Sequence, residues 1–333
     1  MTLSLPLSRR RVLPLLATAG LVGLAGPAAG QTYPSRPITM VVPFAAGGPS
    51  DAIARLIGQS MSATLGQQVV VENVAGAGGT AGAARVAKAA PDGYTLLIHH
   101  VALTAGASLY KNLPYDTLTD LVPVGLVNYG PMVLAGRKDF PAADARELFA
   151  KLKSDGQKVT LAHAGIGSNA HLCSLLLEQA LGIKVTGVAY RGTGPAMNDL
   201  MGGQVDLLFD QTTNAVAQIQ GKTVKAYAVT SAKRVDVLPD LPTMQEVGLP
   251  GYEFVLWHGV YAPRGTPPAT IDALNKAIRI ALADATVKTR FAEFGTQLFP
   301  EAELTPEAHR ARFEKEVATW RDVIAKSGVS VGN

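Results

Sequence analysis

Apolar positions along this chain alternate between two rhythms. Short continuous runs of strand length fall at 38–42, 69–72, 95–99, 132–135, 159–162, 205–209, 226–229 and 254–261. Between them, apolar residues recur every three or four positions, which predicts helices over 51–65, 79–89, 143–152, 169–181, 195–201, 268–283 and 306–326. In the last of these, Thr305 caps, Pro306 takes the first helical position, and Phe313, Val317, Trp320 and Ile324 share one face. Strands alternating with amphipathic helices predict an α/β fold of mainly parallel sheets flanked by helices.

The junction at Pro43-Phe44-Ala45-Ala46-Gly47-Gly48-Pro49-Ser50-Asp51 is the most informative. A strand ends in a glycine turn and a helix starts at once, with Ser50 and Asp51 as its candidate caps. Such a junction aims backbone N–H groups and the positive end of a helix dipole above the strand, a place for an anion. Gly165-Ile166-Gly167-Ser168-Asn169-Ala170-His171 repeats this logic, with Ser168 or Asn169 as the cap. Tyr190-Arg191-Gly192-Thr193-Gly194-Pro195 is a third junction, with Pro195 at the first helical position. Thr193 adds a hydroxyl, Arg191 offers a bidentate partner for a carboxylate, and Asp210 closes another strand at the edge where α/β proteins place ligand groups.

Two irregular stretches, around 126–130 and 238–252, read as crossings between lobes. They divide the chain into a lobe of residues 31–127 with 251–333 and a lobe of residues 128–250, joined by two strands around a cleft that closes by a hinge.

Composition narrows the partners. Hydrophobic residues make up 47% of the 333 positions and charged residues 17%, a globular balance. The net charge of +4 owes three units to Arg9, Arg10 and Arg11; removing them from 30 basic residues leaves 27 against 26 acidic ones. Nucleic acid is therefore excluded as a partner. Residues 1–30 read as a signal peptide: a basic Ser8–Arg11, an apolar core from Val12 to Leu24, and small residues Ala28-Ala29-Gly30 for cleavage near Gly30. The arginine run also fits a twin-arginine signal, and the export route stays open. The destination is the periplasm. The lone Cys173 falls among leucines of a predicted helix and reads as a buried structural thiol.

Three catalytic or cofactor patterns are weighed and set aside. A Ser168 nucleophile with His171 as base, an exported serine hydrolase, lacks both an orienting carboxylate and a nucleophile elbow. Gly76-Ala77-Gly78-Gly79 mimics a dinucleotide loop, but the only acidic residue shortly downstream, Asp92, lies in a turn rather than at a strand end. His99-His100 point to opposite faces of a strand, with no further ligand at metal spacing; one faces the cleft and the other packs. No cofactor, metal or catalytic residue is expected.

Together these segments resemble the tripartite tricarboxylate transporter substrate-binding family, the Bug receptors. The resemblance rests on Tyr33-Pro34-Ser35-Arg36-Pro37-Ile38, Val42 to Asp51, Leu65-Gly66-Gln67, Gly76 to Gly79, Pro91-Asp92-Gly93-Tyr94-Thr95-Leu96-Leu97 and Leu238-Pro239-Asp240-Leu241-Pro242-Thr243, in the family's order. It implies a two-lobed, type II-like Venus-flytrap receptor, monomeric, that delivers a small organic acid to the membrane permease subunits of such a transporter; a receptor feeding a sensor kinase would share this sequence. It also implies the ligand positions Phe44, Ala46, Gly47, Gly48, Ser50, His100, Ala102, Ser168, Asn169 and His171, with Thr193 and Asp210 beside them; the reading of the residues adds Arg191. Phe209 stands where one branch of the family has a cysteine, which implies a reshaped pocket wall.

Overall fold

A computed structural model describes residues 1–3 and 33–327. The expected signal peptide and its cleavage site lie outside the described residues. From Tyr33 onward the described chain is one compact unit.

The elements follow in chain order. The first part runs β1 (Ile38–Val42), α1 (Pro49–Leu65), β2 (Val69–Asn73), α2 (Thr80–Ala87), β3 (Thr95–His100), α3 (Ala102–Leu109) and β4 (Leu121–Arg137). The middle holds α4 (Ala145–Asp155), β5 (Thr160–His163), α5 (Asn169–Leu181), β6 (Thr186–Ala189), α6 (Thr193–Met201), β7 (Leu207–Gln211), α7 (Thr212–Gln220) and β8 (Val224–Val229). The chain ends with β9 (Val255–Pro263), α8 (Pro268–Ala283), α9 (Ala285–Glu293), β10 (Gln297–Leu298) and α10 (Pro306–Ser327). Among the described residues, no helix is long and apolar enough to cross a membrane.

The strands form a mixed sheet in the order β2-β1-β3-β9-β4-β7-β5-β6, with β8 and β10 also paired to β4. The two wings are parallel: β2, β1 and β3 on one side, β7, β5 and β6 on the other. The centre is antiparallel, because β4 pairs with β9, β7, β8 and β10 in that sense.

Strand β4 belongs to both halves. Its first part pairs with β9 as far as Pro131 opposite Val255; from Met132 it pairs with β7 and β8. The change falls at Gly130-Pro131, where proline removes a ladder donor and glycine lets Thr296 approach. The returning chain is tied to the same point. Buried Thr230 accepts from Met132 N–H at 2.8 Å through Oγ1 and donates to the Phe254 carbonyl at 2.6 Å. Both connections between the halves therefore meet at one clasp.

Beyond the clasp, side chains of β4 alternate faces as a strand must. Met132 and Leu134 join a core that runs through both halves, whereas Val133 and Ala135 join a second core under α6 and α7. Cys173 is buried, and burial pushes its thiol well above the usual range. Phe209 also lies in the shared core at 0% exposure, so it packs the interior and does not form pocket wall.

His99, His258 and His309 are enclosed. Burial holds each pKa down to about 3, helped at His258 by His99 and at His309 by Arg310 and Arg312. The unfolded value is about 6.5, so the unfolded chain binds more protons as pH falls below it. Their neutral packing is fully effective above about pH 6.5 and is lost progressively toward pH 3. At pH 5 each ring costs about 2 kcal/mol. Asp210, raised to about 6 by burial, acts in the opposite sense as a single group. Denaturation midpoints are expected to fall steeply from pH 7 to pH 5, and a level midpoint over that interval would contradict this account.

Candidate functional site

Four strand ends and three helix starts meet where the halves face each other. Phe44 follows β1, His100 ends β3, Ala164 follows β5 and Gln211 ends β7; all line one cavity with Ser50 of α1, Ser168 and Asn169 at the start of α5, and Thr193 of α6. Ligands of open α/β sheets sit at these carboxyl ends. The opening N–H groups of the helices have no intrahelical acceptor, so the surroundings favour negative charge.

The helix starts differ in how they are made. Ser168 caps α5, its Oγ accepting from His171 N–H at 3.3 Å. At α1 the cap is Gly48, because Pro49 takes the first helical position and moves Ser50 and Asp51 into the first turn. Neither of them caps. Ser50 Oγ instead lies 3.1 Å from His258 Nε2, beneath the cavity. Helix α6 begins at Thr193 behind Gly192, so Pro195 is two residues inside and not at its first position.

The Asp51 carboxylate is saturated. Arg55 donates to both oxygens at 2.9 and 3.0 Å, Asn73 to Oδ1 at 3.0 Å, and Gly47 N–H to Oδ2 at 3.1 Å. Burial alone would raise its pKa, but these hydrogen bonds outweigh burial and hold it below the usual range. The cluster pins the loop from Phe44 to Ser50, since Asn73 also donates to the Phe44 carbonyl at 3.0 Å.

His100 stacks on Phe44, ring centroids 4.8 Å apart. Its Nδ1 accepts from Ala102 N–H at 3.3 Å, which leaves the proton of the neutral ring on Nε2. Burial, then the nearby His99 and His258, keep that ring neutral by holding its pKa well below the ordinary value. Asn169 is 2% exposed, and neither its Oδ1 nor its Nδ2 has a partner. Asp210 lies behind the wall at 0% exposure, held by Gln211 N–H at 2.8 Å and by Asn214 and Thr193.

The remaining sequence-derived positions stand further out. Ala46 and Gly47 are exposed and do not line the cavity; Ala102 is buried with its N–H committed to His100. Arg191 is exposed and contributes its carbonyl, which accepts from Ala45 N–H at 2.9 Å. His171 turns Nδ1 back to Gly167 N–H at 3.2 Å, away from any partnership of its ring with Ser168 Oγ. Among the described residues, no three His, Cys, Asp or Glu side chains gather as a metal site requires.

The two walls touch. Besides the Ala45–Arg191 bond, the Tyr110 hydroxyl lies 2.9 Å from the Ala77 carbonyl and 2.6 Å from that of Ile166, so one proton bridges the halves. A Cβ on Gly78, whose φ is +63°, would sit 1.9 Å from the Ile166 oxygen. The enclosed volume is about 20 Å³. Small-molecule sites occupy about 300 Å³ or more, so the walls must part to admit one.

The sequence matches the tripartite tricarboxylate transporter family receptor over residues 53–329. This chain belongs to that family. The receptor is 48% identical to the periplasmic binding protein BugD, with a TM-score of 0.87 over 90% of this chain and 99% of that one. It is 42% identical to MatC of Rhodopseudomonas palustris, solved with bound malate, with a TM-score of 0.85 over 88% of this chain and 100% of that one. Rpa4515 of R. palustris, solved with adipate, is 32% identical with a TM-score of 0.84 over 90% and 99%.

Sequence reasoning missed several lining residues of this receptor. Met132 and Gln211 face each other across the β4–β7 register and both line the cavity, whereas His258, opposite His100 on β9, lies beneath it. Gln211 was accessible in principle, since it ends a strand beside Asp210. Met132 and His258 carry no local signal. For the contact between walls, Gly78→Ala is expected to hold the loops apart and give a larger radius of gyration by small-angle scattering. Its left-handed backbone adds a stability loss of about 1–2 kcal/mol. A variant with a wild-type scattering profile would remove Gly78 from the closing contact.

Proposed function

We propose that this receptor captures a small carboxylate between its two lobes, residues 31–127 with 251–333 and residues 128–250. It then delivers the acid to the permease subunits of a tripartite tricarboxylate transporter, as a periplasmic monomer and without catalysis. The observation that carries this reading is the convergence of α1, α5 and α6 on one cavity whose donors are neutral. An ionised acid entering there meets backbone N–H groups, the His100 Nε2–H and the Ser168 hydroxyl, and each hydrogen bond to it is charge-assisted. The acids held by MatC and Rpa4515 support the same class.

The commitments of the polar groups support a receptor without catalysis. Ser168 Oγ serves as a helix cap and His171 Nδ1 accepts from its own loop, an arrangement unlike a nucleophile–base pair. Asp51 and Asp210 are held by several donors each.

A thermal-shift screen of mono-, di- and tricarboxylates tests this. Acid at about a hundred times its dissociation constant adds roughly 2.7 kcal/mol of stability, a clear rise in melting temperature. At least one acid is expected to produce it. A full acid library without a shift, with neutral solutes active in its place, would refute the assignment.

A further inference from the structure

Asn169 stands apart from the other polar groups of the cavity. The residue is 2% exposed and lines the cavity, and its amide is buried without a partner at oxygen or nitrogen. Either orientation of the amide leaves one acceptor and one donor group side by side. We propose that Asn169 is the specificity-determining residue of this receptor and that its ligand is a 2-hydroxycarboxylate. This rests on the carboxylate-receptor reading above.

The pairing follows from the two groups' chemistry. A 2-hydroxycarboxylate carries an O–H and a carboxylate oxygen on adjacent carbons. The hydroxyl donates to Asn169 Oδ1 while a carboxylate oxygen accepts from Nδ2–H, which satisfies both ends at once. A plain dicarboxylate offers acceptors alone and leaves Oδ1 buried and unmet. Sites built to bond a ligand hydroxyl reject the analogue lacking it, because their own polar group is then stranded.

The neighbouring groups fit this division. Ser168 Oγ already accepts from His171 N–H, so its own proton is available to a carboxylate. His100 presents Nε2–H for the same reason. A 2-ammonium group would also donate to Asn169, but a buried ammonium requires an ionised partner. Asp51 is the carboxylate in the lining, and both its oxygens are filled by Arg55, Asn73 and the Gly47 N–H. Asp210 is behind the wall. A neutral hydroxyl meets the amide without that demand.

Titration calorimetry on the mature protein tests the assignment with 2-hydroxysuccinate (malate), succinate and 2-fluorosuccinate. The fluorine occupies the hydroxyl position without a proton to give. The pair 2-hydroxyglutarate and glutarate repeats the comparison at another chain length. Wild type is expected to bind the hydroxy acid at least about tenfold tighter than its partners. Asn169→Ala is expected to weaken both acids, the hydroxy acid by more, and bring the ratio to about one. Equal binding of hydroxy and plain acids, 2-fluorosuccinate matching malate, or a ratio that survives Asn169→Ala would each overturn the role of Asn169 alone. If no carboxylate binds, the receptor reading falls and this inference with it. The wild-type comparison decides the ligand class even if the variant does not fold.

Discussion

The two halves of this protein share a strand, and the rest of the arrangement depends on that. β4 runs through both pairing systems, and Thr230 ties its change of partners to the returning chain at Phe254. Both connections between the halves meet there. The carboxyl ends of β1 and β3 on one side, and of β5 and β7 on the other, face each other across the cavity. The cavity is a consequence of this topology before any side chain is considered.

Within that geometry no lysine or arginine among the described residues lines the cavity. Arg55 is spent on Asp51, and Arg191 gives the site only its backbone carbonyl. The donors aimed inward are backbone amides, hydroxyls and an imidazole kept neutral by burial. A hydrogen bond to an ionised group contributes about 1.5–3 kcal/mol net. A few of them, less the cost of ordering two walls, give about −8 kcal/mol, a micromolar affinity. A receptor that must release its cargo works in that range, whereas a buried guanidinium pair left half-broken would resist opening.

Local signals were legible and long-range ones were not. The strand–glycine–helix junctions at Phe44 to Asp51 and at Gly165 to His171 stood in the sequence because turn, cap and helix onset are adjacent in the chain. Helix α5 starts and stops where its spacing and Gly182 place it. By contrast, only the end of β4 could be read, since Pro123, Gly125, Gly130 and Pro131 break its apolar run while its partners keep it extended. β6 is largely exposed and lacks an apolar run altogether. The cap of α1 was misassigned because Pro49 already held the first helical position. Met132 reaches the cavity, and His258 the layer beneath it, through register alone, which no window of sequence displays.

The glycine loop that imitates a dinucleotide motif shows why such patterns mislead. Gly78 is glycine because the Ile166 carbonyl comes where a Cβ would be, and Gly165 approaches the same backbone from the other half. A pyrophosphate-binding loop needs glycine for the same steric reason, close approach to a backbone by something bulky. The constraint is shared and the visitor differs. Here it is the opposing loop, with Tyr110 spanning Ala77 and Ile166. What separates the readings is the residue that follows. A dinucleotide site adds an acidic group at the next strand end, and this chain instead has Asp92 in a turn, paired with Arg36 at 2.9 Å. The glycines therefore belong to the contact between the two walls, and the helix starts that line the cavity lie behind them.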